Sequence, residues 1–426
     1  VDIRSLDEVE VRGRTVLLRP DINSPIDGAT GKIADENRLD KSLRTIADLS
    51  ESGAKLVIIA HQGDTLDYHN LVSLAEHAER LTTKLGREVK FVDDVAGPAA
   101  RQAIRDLEDG EILLLENIRI LTEEVSTFEN AVKLTPQEMT HTYLVRHLAP
   151  LMDLYVNDAF AAAHRNAPSL VGFEELLPTA GGRLLMDEVN TLSAVAEHPV
   201  RPCLFVLGGL KISDAFAMMG KVLQDGTADD IITSGVTANV FLWAQGVDLG
   251  APSRSFISDR SLDTFLPKAE EWLDEYRHRI HVPIDVAVAG ADGNRIEVAV
   301  GDLPAQDLII DIGSNTVARY EQLISAAATI FVNGPAGVYE SAAGEYGTRH
   351  LWEAVAAAGG KSVIGGGDTV ASARRFVDLN DIGFVSTGGG ALVRFLSGQS
   401  LPMLEAMERA ARRDSQNKGD TGGHPS

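Results

Sequence analysis

The chain has one cysteine in 426 residues, Cys203, so it can form neither an internal disulfide nor a multi-cysteine metal site. That residue precedes the apolar run Leu204-Phe-Val-Leu207, which marks it as a small core residue rather than a nucleophile. No run of 18 apolar residues and no signal-peptide pattern occurs, so the expectation is a cytoplasmic protein with no membrane partner. Positive charge is also short. There are 11 lysines and 28 arginines against 62 Asp and Glu, for a formal net charge of −23. Such a field argues against nucleic acid as a partner, so an anionic ligand has to be gripped by a local cluster of arginines. Two nucleotide fingerprints are missing as well. Gly360-Lys361-Ser362 imitates the end of a P-loop, but Val355 stands where that motif needs its first glycine, and no GxGxxG stretch occurs.

What is present is glycine at strand ends. Ser362-Val-Ile-Gly-Gly-Gly-Asp-Thr369 and Phe384-Val-Ser-Thr-Gly-Gly-Gly-Ala-Leu392 each read as a short apolar strand, three glycines and a helix start. Glycines there let a phosphate approach the backbone, and the free N–H groups of a helix N-terminus stabilise its charge. A glycine triplet can also do no more than make a tight turn. Two of them, the first followed by Asp368-Thr369, favour a polyphosphate ligand facing strand ends of a parallel sheet.

Length predicts two or three domains, and 44% hydrophobic residues with a mean hydropathy of −0.02 fit a globular protein. Along the chain, strand, polar loop and helix alternate. Thr15–Arg19 runs into Arg19-Pro-Asp-Ile-Asn-Ser-Pro25; a helix over about 39–52 would bury Leu39, Leu43, Ile46 and Leu49. Lys55–Ala60 is followed at once by His61-Gln-Gly-Asp64, where a histidine serves either as a ligand or as a turn residue. A helix over 71–85, a strand over 89–92, a helix near 98–107 and the strand Glu111–Leu115 come next. Glu116-Asn-Ile-Arg119, a helix over about 129–148, and Leu154–Asp158 with the loop to Arg165 complete this half. The pattern predicts a parallel sheet with helices on both faces. Arg19, Arg38, Arg119 and Arg165, with His61 and His164, fall in or beside its loops and should converge into a basic pocket.

The stretch 178–195, apolar at Leu184, Leu185, Val189, Leu192 and Val195, reads as a connecting helix or an ordinary packed one. In the second half Leu207-Gly-Gly-Leu-Lys211 puts a lysine beside glycines at a helix start, a phosphate contact in the making. Strands follow at Asp230, 282–289, Asp307 and Thr329, the last leading to Asn333-Gly-Pro-Ala-Gly-Val-Tyr-Glu340, whose glutamate is placed to accept from sugar hydroxyls or simply to be solvated. The tail from Arg412 is polar and glycine-rich, and is expected to be disordered.

Taken together these segments closely resemble the phosphoglycerate kinase family, and its archaeal branch most. The resemblance runs from about Val11 to Ala410. It rests on the order of Arg-Pro-Asp-Ile-Asn-Ser-Pro, Leu-Glu-Asn-Ile-Arg, Asn-Asp-Ala-Phe-Ala-Ala-Ala-His-Arg, Leu-Gly-Gly-Leu-Lys, Asn-Gly-Pro-Ala-Gly-Val-Tyr-Glu, Gly-Gly-Gly-Asp-Thr and Ser-Thr-Gly-Gly-Gly-Ala. It implies an α/β fold of two doubly wound, Rossmann-like parallel-sheet domains joined by a helix, with a cleft between them. The implied boundaries are 1–177 for the phosphoglycerate domain, 178–196 for the helix, 197–386 for the nucleotide domain, 387–411 for a return segment and 412–426 for the tail.

By matching motif, the glycerate substrate (3-phosphoglycerate or 1,3-bisphosphoglycerate) would meet Asp21, Asn23, Arg38, His61, Gln62, Gly63, Asp64, Arg119 and Arg165. ATP or ADP would meet Gly208, Gly209, Lys211, Gly235, Asn333, Pro335, Glu340, Gly366, Gly367, Asp368 and Thr369, with Asp368 beside Mg²⁺. The acceptor is a carboxylate, ionised at neutral pH, so no general base is needed and catalysis reduces to alignment and charge neutralisation. Arg38, Lys211 and the N–H groups near Gly367 and Gly389 would supply the charge, and cleft closure would bring the two halves together. The residues leave monomer or dimer open. Two positions depart from the family's commonest pattern: Asp64 stands where arginine is usual, and Ala215 where many members carry a second lysine. Asp64 keeps in view a paralogue acting on another small carboxylate; a non-catalytic nucleotide-binding relative is the further alternative.

Overall fold

Alternation of side chains along a strand puts successive residues on opposite faces of a sheet, and here both faces are buried. Val16 and Leu18 join Leu56, Ile58, Leu114 and Val156 in one core, while Leu17 joins Val57, Leu113, Leu115 and Tyr155 in another. Only a sheet covered by helices on both sides allows near-continuous apolar strands of this kind. The computed structural model describes residues 1–64 and 66–420, with side chains up to 416. The chain divides into two units, residues 1–190 with the chain's end from Ser400, and Thr191–Gln399.

In the first unit the strands are β1 (Thr15–Pro20), β2 (Lys55–Ile58), β3 (Val89–Val92), β4 (Ile112–Leu115), β5 (Leu154–Asp158) and β6 (Thr179–Gly181). They form one parallel sheet in the order β3-β4-β2-β1-β5-β6. The second unit has β7 (Cys203–Leu207), β8 (Asp230–Thr233), β9 (Ile280–His281), β10 (Asp285–Ala289), β11 (Arg295–Ala299), β12 (Ile309–Ile312), β13 (Thr329–Asn333), β14 (Lys361–Ile364) and β15 (Phe384–Val385). Six of these form a second parallel sheet, β15-β14-β13-β7-β8-β9, over a core that includes Leu204, Val206, Ile232, Ile330, Val332 and Ile364. Cys203 lies buried in β7, and burial pushes its thiol up to about 12, so it is inert packing.

Several elements differ from the sequence expectation. The strands near 282–289 and Asp307 do not extend the parallel sheet; β10 and β12 pair antiparallel with each other, and β11 completes a separate three-stranded sheet. The expected helix over 129–148 is three short ones, Ser126–Val132, Pro136–Met139 and Tyr143–Leu148. Lys133 ends the first in the left-handed region (φ 55°), and Thr135 caps the second with Pro136 at its first position. The helix expected from Leu71 begins at Ala75, because the Glu116 carboxylate takes the Leu74 N–H at 2.8 Å and Asn117 Nδ2 donates to Val72 O.

The connecting helix is Arg183–Glu197, and residues 179–181 ahead of it are β6. It buries Leu185, Val189, Leu192 and Val195, and the boundary between the units falls inside it, after Asn190. The helix Gly390–Leu396 stays with the second unit, packed on the helix Ile212–Gln224, so the chain crosses back at about residue 400 rather than 387. Burial of Leu392, Val393 and Leu396 holds it there. From Pro402 to Asp420 the tail is helical, which corrects the expected disorder over 412–420; residues 421–426 lie outside those described. Among the described residues no helix is long and apolar enough to cross a membrane.

Candidate functional site

In the first unit Arg19 ends β1, Arg38 opens the helix Asn37–Glu51 that follows, Arg119 comes after β4 and Arg165 after β5, while the segment after β2 brings His61-Gln-Gly-Asp64. Arg19 is one of the largest fully buried side chains. It donates through Nε to Ser169 Oγ at 3.2 Å, through one terminal nitrogen to Pro20 O at 2.7 Å, and through the other to His61 Nδ1 at 2.9 Å. A guanidinium can only donate, so His61 Nδ1 accepts and the proton of the neutral ring sits on Nε2. Burial first, then Arg19 and the other guanidiniums, hold the His61 pKa well below its ordinary value. Glu124, buried and held above the usual carboxylate range by burial, accepts from Ser169 N at 2.6 Å and Ser169 Oγ at 2.7 Å. Arg19 is therefore a support for His61 and not a wall of the basic pocket. Glu124 and Ser169 in that chain carry no motif that sequence reading could single out.

Asp21, nearly buried, pairs with Arg38 and accepts from Asn23 N at 3.2 Å. Asn23 Oδ1 in turn accepts from Gly63 N at 3.1 Å. Gly63 takes φ +69°, and any Cβ there would collide with the Asn70–Leu71 backbone, so the loop requires glycine. Gln62 is fully buried with its amide spent on the protein. Its Oε1 accepts from Ser24 N and faces His77 Nε2, and its Nε2 donates to Ser24 O and Asn70 O. Its side chain is not presented to a ligand, in contrast to the expectation. Asp64 accepts from Arg119 and from Ser126 Oγ. Arg165 binds Glu129 Oε2 through Nε at 2.9 Å and a terminal nitrogen at 2.7 Å. Arg119 falls to about 10, chiefly by burial with Arg165 adding and Asp64 opposing, and so stays charged at neutral pH. His164 is half-buried on the loop after β5.

In the second unit the segments after β7, β8, β13, β14 and β15, with β12 itself, surround a cavity of about 390 Å³. Its glycines divide into two sorts. A Cβ at Gly208 would collide with Ser234 Oγ, at Gly334 with Gly208 O, and at Gly235 it would lie 2.7 Å from Gly209 N. These glycines let three loops interlock through Gly208 N→Asn333 O (2.9 Å), Gly209 N→Pro335 O (2.8 Å) and Gly235 N→Ala336 O (2.9 Å). In front of Gly367 and Gly389, by contrast, a Cβ would meet nothing within 4 Å. Gly366 caps the helix Gly367–Phe376 with φ +98°, and Gly389 precedes the helix Gly390–Leu396.

Asn333 Nδ2 donates to Gly365 O at 2.9 Å, and Thr369, buried, accepts from Gly334 N at 2.9 Å, so both tie the segments after β13 and β14 together. Lys211 Nζ lies 3.6 Å from Asp368 Oδ2, with side chains 70% and 71% exposed, a pair that solvent renders weak and easily rearranged. Glu340 is exposed on the cavity rim. The remaining wall includes the apolar Val236, Phe256, Ile309, Ile312 and Val338, together with Asp214, Asn239 and Asp311. Phe256 and the β12 residues escaped the sequence reading, because an apolar residue that lines a cavity repeats with the same period as one that fills a core.

An arginine cluster on one parallel α/β unit and a glycine-lined cavity on the other fit the phosphotransferase class. A family profile described as phosphoglycerate kinase matches residues 6–399. The phosphoglycerate kinase of Methanothermobacter thermautotrophicus is 42% identical over 407 residues, covering 96% of this chain and 97% of that one. That of Halobacterium salinarum is 41% identical, covering 95% and 99%. Among solved structures, the phosphoglycerate kinase of Pyrococcus horikoshii OT3 superposes with a TM-score of 0.84 at 36% identity, covering 96% of this chain and all of that one. That of Coxiella burnetii gives 0.81 at 31% identity, with the same coverage. The chain belongs to the phosphoglycerate kinase family, and so to the phosphotransferases with a carboxyl group as acceptor.

Proposed function

We propose that the chain transfers a phosphoryl group reversibly between 1,3-bisphosphoglycerate with ADP and 3-phosphoglycerate with ATP, in the cytoplasm, with the glycerate on the first unit and the nucleotide on the second. The observation that carries the nucleotide half is the open space before Gly367 and Gly389, on a wall where Gly208, Gly235 and Gly334 abut neighbouring atoms. Backbone N–H groups at Gly366, Gly367 and Gly389 receive the phosphates, and Lys211 neutralises them. Thr369 and Asn333 hold that loop in place. Gly208, Gly209, Gly235 and Pro335 shape the wall toward the base, and Glu340 accepts from the ribose.

Asp368 suits Mg²⁺. Its carboxylate is exposed beside Lys211, and among the described residues no three His, Cys, Asp or Glu side chains cluster to hold a metal unaided. Mg²⁺ commonly takes one or two carboxylates and completes its shell with phosphates and water, so the nucleotide is part of the site. When bound, the ion screens the negative charge of the phosphates.

On the acceptor side the nucleophile is a carboxylate that is already ionised, so the residues have to orient and neutralise rather than remove a proton. Asp21 holds Arg38, Asn23 and Gly63 shape the floor, and His61 offers a neutral Nε2–H. Arg38 faces the transferring group, and Arg119 and Arg165 face the phosphate that is not transferred. The test is a coupled assay of 3-phosphoglycerate-dependent ATP consumption with Mg²⁺ over a range of salt. Turnover at ordinary enzyme rates is expected. Nucleotide binding without turnover at any salt would overturn the acceptor assignment and point to another small carboxylate.

A further inference from the structure

The arginines assigned to the non-transferred phosphate are not bare. Asp64 caps Arg119, is steadied by Ser126 Oγ, and lies 3.9 Å from a terminal nitrogen of Arg165. Glu129 takes Arg165 at two nitrogens, and its second oxygen accepts from Asn166 N at 2.7 Å. As a result the side chains of Arg119 and Arg165 are only 6% and 14% exposed, while that of Arg38 is 37% exposed. The two carboxylates are held differently. Glu129 is built into the backbone after β5. Asp64 accepts from a guanidinium and a hydroxyl and stands at the start of the loop toward Asn70.

We propose that Asp64 is a tethered counter-anion on Arg119, which the acceptor's phosphate displaces on binding while Glu129 stays in place. This rests on the acceptor-site reading above. A tethered carboxylate sits at the guanidinium at an effective concentration that dissolved anions reach only at high salt. A phosphate dianion brings more charge and three acceptor oxygens, and so wins the planar fork of Arg119 where a chloride or a single carboxylate does not. The site thus exchanges one anion for another instead of filling an empty cationic pocket. Weaker binding of phosphoglycerate at low salt is accompanied by indifference to competing salt anions, in a protein whose own charge is −23.

The experiment compares the KM for 3-phosphoglycerate of the unaltered chain, Asp64→Asn and Ser126→Ala, from about 20 mM to about 1 M KCl, a range over which screening becomes strong. Asp64→Asn is expected to lower this KM about tenfold at low salt, the effect of one lost competing ion pair. The gap should close toward high salt as chloride takes the freed Arg119. Ser126→Ala, which removes only the hydroxyl that steadies Asp64, should shift KM the same way by about twofold. An unchanged or raised KM in both variants, or salt slopes parallel to the unaltered chain, overturns the proposal. Inorganic sulfate provides a readout independent of turnover. Asp64→Asn should be protected against thermal unfolding at roughly tenfold lower sulfate than the unaltered chain. Equal protection overturns the counter-anion even if the kinase assay succeeds. Absent turnover in the unaltered chain with this sulfate difference present overturns the acceptor reading alone.

Discussion

Arg38 differs from Arg19, Arg119 and Arg165 in being both held and open: Asp21 fixes its guanidinium while 37% of its side chain faces solvent. A cation so placed can meet charge that develops during transfer, and groups of that kind typically matter more to turnover than to ground-state binding. Arg38→Ala is expected to lower kcat by about 10²–10³ and to leave the KM for ATP within about twofold. Steady-state kinetics in both substrates checks this, and comparable losses in both would remove Arg38 from the transition state. His61 shows the limit of residue type as a guide. Its place after β2 leaves ligand and turn residue equally open. Only the buried Arg19 donating to Nδ1 settles which nitrogen carries the proton, and so what the ring can offer.

At the end of β5 an acidic side chain ties strand to helix. Asp158 is buried, and its Oδ1 accepts from Leu185 N at 2.8 Å, at the start of the helix Arg183–Glu197. A side chain at Gly182 would collide with that carboxyl, which explains the glycine between β6 and the helix. Burial is the largest of several influences on Asp158 and raises its pKa to about 7. The folded carboxyl therefore holds a proton that the unfolded chain releases near pH 3.9. Between these values the native state binds more protons, so this group makes stability fall as pH rises from about 4 to 7 and leaves it level above that. Asp158→Asn cannot titrate. Urea unfolding at pH 5 and pH 8 should show a flatter pH dependence in the variant, by up to about 1.4 kcal/mol per pH unit across that window, and a relative gain in stability at pH 8. Identical curves for the two proteins would show that Asp158 ionises normally.

Across the whole molecule, the last helix belongs to the first unit although the whole of the second, Thr191–Gln399, precedes it in the chain. Met403, Leu404 and Met407 are buried on it, Arg413 donates to Glu174 O at 2.6 Å and to Leu177 O at 2.7 Å, and Arg409 pairs with Glu175. A chain ending at residue 399 loses those contacts and uncovers the fully buried Glu174 region. With ~1.5–3 kcal/mol for each large apolar side chain, the first unit should lose roughly 5 kcal/mol or more. Urea unfolding followed by a probe in each unit should then separate into two transitions, with the first unit's at lower urea and the second unit's unmoved. Coincident transitions at the original midpoint would mean that the helix adds little.

The alternation of apolar strands with amphipathic helices was enough to determine two parallel α/β units, because period and burial are local properties that each segment carries within itself. The glycine-rich strand ends, Lys211 and the loop arginines were legible for the same reason: their residue types are unusual where they stand. Three things depended on contacts between segments far apart in the chain. The antiparallel pairing of β10 with β11 and β12 follows from which strands meet, and a strand's own pattern does not name its partner. The helix expected from Leu71 starts late because a carboxylate and an amide more than 40 residues away hold its first N–H and C=O groups. The roles of Gln62, Arg19 and Asp64 were decided by what surrounds them. A polar side chain serves a ligand only if the fold leaves its donors and acceptors unspent, and that accounting closes only when the whole chain is folded.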